Sequence, residues 1–150
     1  MLVHAAAGGS SALRWVMLLL SVAPLIATHA AAEESLDWSR YAEHGVVTVT
    51  TTNRDGSARR TKVWLAVVDG RGYLRTGGTR WGDNIERHPE VAVLIGSESL
   101  DLHVRFVTDE DTREAVKRAF REKYGFTDWA INLFRGNNPR IMLLDTPAQD

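Results

Sequence analysis

Arg60, Lys62, Thr79 and Arg80 are the residues whose types and spacing suit one chemical task, the holding of an anionic group. Arg60 and Lys62 stand two apart in an extended stretch, so their side chains fall on the same side of a strand. Gly77-Gly78-Thr79-Arg80-Trp81-Gly82 follows a second strand and opens a short helix. Amides at a helix start point at an anion where the helix dipole also favours negative charge. Thr79 adds a hydroxyl, and Arg80 can fork onto phosphate oxygens. If the Asp69–Gly72 turn folds the two strands into a hairpin, all four side chains converge on one phosphate. A phosphate carried by a flat cofactor suits such a sheet end. The plainer reading is a set of solvated charges.

Other chemistry finds little foothold. His4, His29, His44, His88 and His103 show no paired ligand spacing, so a metal site is not expected. There is no Gly-x-Ser-x-Gly elbow and no partnered nucleophile. The glycine loop has neither dinucleotide-fingerprint spacing nor a terminal Lys-Ser/Thr. A net charge of −1 argues against a general nucleic-acid binder. With no cysteine, thiol chemistry and disulfides are excluded.

The elements that must position these residues follow from pattern. Glu33–His44 reads as a short helix capped by Ser35 and stopped by Gly45, with Leu36, Trp38, Tyr41 and Ala42 on one face. Val46–Thr52 is β-branched, with Val47, Val49 and Thr51 sharing one side. Asn53-Arg54-Asp55-Gly56 is a hairpin turn. One strand, apolar on both faces at its centre, is expected over Arg59–Val68, then Tyr73–Thr76 after the Asp69–Gly72 turn. Asp83–His88 is one or two helical turns ended by Pro89. Val91–Gly96 and Leu100–Val107 are further strands. A helix begins at Thr108, with acids in its first turn, a Val116/Ala119/Phe120/Tyr124 stripe and a stop at Gly125. A loop carrying Trp129, Ile131, Leu133 and Phe134, with a helical turn as the alternative, leads to a last strand, Arg140–Leu144. Six strands joined mostly by hairpins, with two or three short helices, predict a mainly β, α+β antiparallel barrel over residues 33–145 and a flexible tail over 146–150.

Residues 1–32 read as a secretory signal: Arg14, the apolar run Trp15–Ile26, then small residues with cleavage expected after Ala30 or Ala32. The run is short of the roughly 20 apolar residues needed to span a bilayer. No stable membrane span is expected after cleavage, and an exported protein, periplasmic or extracellular, is implied. An uncleaved anchor, or a start placed too far upstream of a cytoplasmic chain, are the other readings. No twin-arginine pair marks export in a folded, cofactor-loaded state.

The order Arg60-x-x-Val63, Tyr73-Leu74-Arg75-Thr76, Thr79-Arg80 and His88-Pro89 before an apolar strand resembles the pyridoxamine-5'-phosphate-oxidase-like superfamily of flavin-binding split β-barrels, over roughly residues 40–145. Arg59-Arg60-Thr61 ahead of an apolar strand with a Trp is similar to its deazaflavin-dependent nitroreductase branch. The resemblance implies a split barrel binding FMN, with deazaflavin F420 or no cofactor as alternatives, and a flavin-dependent oxidoreductase acting on a small-molecule substrate. It places the phosphate on Arg60, Thr79 and Arg80, and the ring beside Lys62, Val63 and Trp64, mostly at their backbone, with Thr76 nearby. Trp81, Trp129 and Phe134 would cover flavin or substrate, or simply fill the core. It also implies a homodimer, since that family's cofactor lies between two subunits. Three departures stand out: Trp81 where the family has Lys, Arg75 where it has an aromatic, and a loop one residue shorter. The alternative is a non-catalytic exported barrel holding haem, another flat ligand, or nothing.

Overall fold

The computed structural model describes residues 36–135 and 138–147, the side chains of 126–135 excepted. Seven strands form one antiparallel sheet in the order β2-β1-β5-β6-β7-β4-β3. They are β1 (Val46–Thr52), β2 (Ala58–Trp64), β3 (Ala66–Val68), β4 (Arg71–Thr76), β5 (Glu90–Ile95), β6 (Glu98–Phe106) and β7 (Arg140–Asp145). Two α-helices accompany them, α1 (Arg80–Arg87) and α2 (Glu110–Arg135), with a 3-10 turn at Trp38–Tyr41.

The expected strand Arg59–Val68 is in fact two. It breaks at Leu65, so β2 pairs with β1 at one end of the sheet order and β3 pairs with β4 at the other. A chain that crosses from one sheet edge to the other in one residue curls the sheet into a split barrel, joined at that corner and with the outer edge of β2 left unpaired. That corner turns the expected six strands into seven. Leu65 itself is fully buried. Its N–H donates to the Gly45 carbonyl at 3.1 Å. Its own carbonyl receives the Lys123 ammonium at 3.0 Å and the Tyr124 hydroxyl at 2.7 Å. Helix α2 thus satisfies the backbone that the corner leaves without a strand partner.

Local chemistry explains the turns. Asp69 and Gly70 take φ of 49° and 70°, the positive pair needed by a two-residue hairpin matched to strand twist. Gly72 lies against the ring of Trp38, where a Cβ would come within 2.4 Å. Asp37 caps the 3-10 turn by accepting from the Ser39 amide at 3.0 Å; Ser35, the expected cap, lies outside the described residues. Asp109 accepts from the Thr112 amide at 2.8 Å at the start of α2.

Two cores result. Val47, Val49, Leu65, Leu74, Ile85, Val93, Met142 and Leu144 fill the barrel. Ala66, Tyr73, Val116, Phe120, Ile141 and Leu143 pack between the barrel wall and α2. Strand β7 serves both, and four consecutive residues from Ile141 to Leu144 are buried. The first helix of α2 stops at Gly125 as expected, where the backbone is non-helical at φ 54° and ψ −130°, and a second helix follows directly, to Arg135. The stretch expected as a loop is therefore helical backbone. Among the described residues, no helix is long and apolar enough to cross a membrane.

Candidate functional site

A cleft of about 450 Å³ opens between the free edge of β2, the end of β4 and the start of α1. Lys62, Val63, Trp64, Thr79, Arg80 and Trp81 line it, six of the eight residues singled out from sequence. Thr76 is buried beneath the loop rather than in the lining, and Arg60 lies outside the lining. In its place stands Arg59, with Thr61 and Arg75. Arg59 shares the strand side of buried Val63, a parity that was legible in sequence. Its Nε is buried with no hydrogen-bond partner among the described residues. The lining therefore brings together four cations, Arg59, Lys62, Arg75 and Arg80.

The backbone of β2 adds donors and acceptors. Asn53 N–H donates to the Ser57 carbonyl at 2.8 Å, and Leu65 N–H to that of Gly45. Between these bonds β1 and β2 pair as Thr51↔Arg59, Val49↔Thr61 and Val47↔Val63. Antiparallel ladders alternate bonded and non-bonded pairs, so Arg59, Thr61 and Val63 turn their peptide groups to β1. Those of Arg60, Lys62 and Trp64 point to the free edge. Of Lys62, Val63 and Trp64, only Lys62 and Trp64 thus leave their peptide groups open on this edge.

One end of the cleft is set by the loop before α1. Thr79 caps the helix, its hydroxyl accepting from Gly82 N–H at 3.3 Å and meeting the Thr76 hydroxyl at 2.6 Å. The amides of Arg80 and Trp81, in the first helical turn, have no intrahelical acceptor and present donors there. Arg140, which sequence reading took only as the start of a strand, clamps this loop. Its guanidinium donates to the Gly77 carbonyl at 2.9 Å and reaches Asp83 at 3.0 Å and Glu86 at 2.7 Å. Partial burial opposes its charge, but the bonds and charges of Glu86 and Asp83 outweigh that and raise its pKa. Gly82 admits this guanidinium: a Cβ there would lie 2.6 Å from Arg140 Nη2.

Two of the lining residues, Trp64 and Arg75, rest on rings of α2 behind the cleft. Trp64 stacks on Tyr124, and the Arg75 guanidinium sits 4.6 Å from the ring centroid of Phe120. Trp81 is buried at the cleft floor, in contact with the barrel core. The side chains of Trp129 and Phe134, expected as covers, lie outside the described residues. The arrangement can hold a flat, anionic molecule: cations and amides at one end, an open strand edge along its length, aromatic rings beside it.

This architecture is the split β-barrel of pyridoxamine-5'-phosphate-oxidase-like proteins, as comparison with solved structures bears out. The conserved hypothetical protein Rv2991 from Mycobacterium tuberculosis is 20% identical, with a TM-score of 0.59 over 71% of this chain and 76% of that one. HutZ, the heme storage protein from Vibrio cholerae, is 13% identical, with a TM-score of 0.58 over 74% and 88%. A putative pyridoxamine 5'-phosphate oxidase from Listeria innocua is 17% identical, with a TM-score of 0.54 over 71% and 86%. The chain belongs to the family described as "Uncharacterized protein conserved in bacteria (DUF2255)", which matches residues 38–141. No curated protein matches the sequence.

Proposed function

We propose that the chain binds a flavin, FMN or a deazaflavin, in the cleft between β2 and α1, and serves as a flavin-dependent oxidoreductase. The observation that carries this reading is the four-cation lining beside an unpaired strand edge. The residues present fit the group. Arg59, Lys62 and Arg80 with the first-turn amides of α1 would hold the phosphate, and the buried, unpartnered Arg59 Nε–H is a donor still lacking an acceptor. The open peptide groups of Lys62 and Trp64 would meet the hydrogen-bonding edge of the ring. A volume of about 450 Å³ falls within the usual range for cofactor pockets. When bound, the flavin supplies hydride and electron transfer at its own ring, while the protein binds and orients it. Trp64, backed by Tyr124, would exclude water from one side. A homodimer is part of this proposal, as is export after removal of residues 1–32.

The visible spectrum of protein purified from its native host tests this reading. Flavin or deazaflavin absorption is expected. A haem spectrum would overturn it, as would a colourless protein that ignores both added FMN and added deazaflavin.

A further inference from the structure

A second cleft, of about 480 Å³, opens on the other side of the Gly78–Arg80 loop and shares Thr79 and Arg80 with the first. Its cations are Arg54 from the β1–β2 turn, Arg80, and Arg87 from the last turn of α1. Two carboxylates also border it, and both are engaged. Asp55 accepts within its own turn from the Ser57 amide and hydroxyl, at 3.0 and 2.6 Å. That bonding lowers its pKa and keeps it ionised. Asp83 is paired with Arg140 at 3.0 Å.

Asn84, only 1% exposed, fixes the floor. Its amide nitrogen donates to Thr51 at 3.1 Å and to Asn53 at 3.0 Å, and its oxygen receives Arg87 at 2.5 Å. The Asn84 amide hydrogens are thereby used within the protein, and recognition in this cleft falls to the guanidiniums. Arg87 is aimed by Asn84 and keeps further N–H donors, since a guanidinium carries five.

We propose that this cleft seats a second phosphate, and that the ligand is a flavin dinucleotide whose diphosphate straddles the Thr79–Arg80 loop. The inference rests on the flavin reading and names which flavin. Adjacent phosphates share one bridging oxygen, so a single guanidinium bordering both clefts can serve both. The flavin half then lies along β2, and the nucleoside half lies between the β1–β2 turn and α1. FMN alone would leave Arg54 and Arg87 without a ligand.

The test is isothermal titration of the full chain with FMN and with FAD, for the natural sequence and for Arg54→Glu. Arg54 is exposed in a turn, and the fold places no structural bond on it among those described. FAD is expected to bind about tenfold tighter than FMN or better, and Arg54→Glu to weaken FAD by about tenfold while leaving FMN within about twofold. Equal affinities for the two flavins, an unchanged FAD affinity in the variant, or equal weakening of both overturns the second site while the flavin reading stands. A chain that binds neither of these nor a deazaflavin overturns both, and one that binds deazaflavin alone overturns the second site only.

Discussion

The indole of Trp64 and the phenol ring of Tyr124 lie parallel, their centroids 4.3 Å apart with 5° between planes. The pair ties the cleft strand to α2 at the barrel corner. The Tyr124 hydroxyl sits 2.5 Å from the Gly45 carbonyl and 2.7 Å from that of Leu65. Burial pushes its pKa up to about 12. A folded-state value above the unfolded value of about 10 means the folded chain holds the proton longer. The stabilisation is therefore fully present below about pH 10 and is lost as pH rises toward about 12. Thermal melts from pH 9 to 11.5 are expected to show a falling Tm, and Tyr124→Phe to flatten that slope while keeping the stack.

Gly82→Ala tests the clamp on the loop before α1. The added methyl would press on Arg140 Nη2 and on Thr76 Cγ2, at 2.6 and 2.8 Å. A loss of about 1–3 kcal/mol in denaturant stability is expected from such overpacking. Arg140→Met should weaken flavin binding although Arg140 does not line the cleft, because the Gly77 carbonyl and Asp83 lose their anchor.

Arg59 and Arg60 are neighbours with opposite expectations. Arg59→Ala is expected to weaken flavin binding by about tenfold, the order of one charge-assisted phosphate contact, and Arg60→Ala to change it by about twofold at most. Titration of both variants checks this, and the reverse ranking would return the phosphate to the residue first singled out.

Gly72→Ala should be the costliest single methyl in the fold. Its Cβ would meet three ring carbons of Trp38 between 2.4 and 2.6 Å. A buried indole between β4 and the barrel core has little room to retreat. A loss of about 3 kcal/mol or more is expected in chemical denaturation, at the upper end for overpacking.

Features with local causes were legible in the sequence. The side-chain alternation of β1, the Asp55-Gly56 and Asp69-Gly70 turns, the acid-led start of α2 and the loop before α1 each follow from a few adjacent residues. The break at Leu65 was hidden because Val63–Val68 is uniformly apolar, and only pairing with two distant strands divides it. Arg140 was missed because its partners Gly77, Asp83 and Glu86 are remote in sequence. Arg59 could have been found, since its parity with Val63 turns it inward while Arg60 is exposed. Gly125 was legible as a stop, since its positive φ ends one helix; that a second helix starts at once was not.

The central claim is that an anionic flavin sits where β2 meets α1, and a titration of the full chain with FMN measures it most directly. Saturable one-site binding is expected, with affinity falling by about a hundredfold in the Lys62→Glu, Arg80→Glu double variant while its melting temperature holds. Both side chains are exposed, so the fold should tolerate the changes. Undiminished binding in the double variant, or a natural chain that binds neither FMN nor a deazaflavin, would contradict the site.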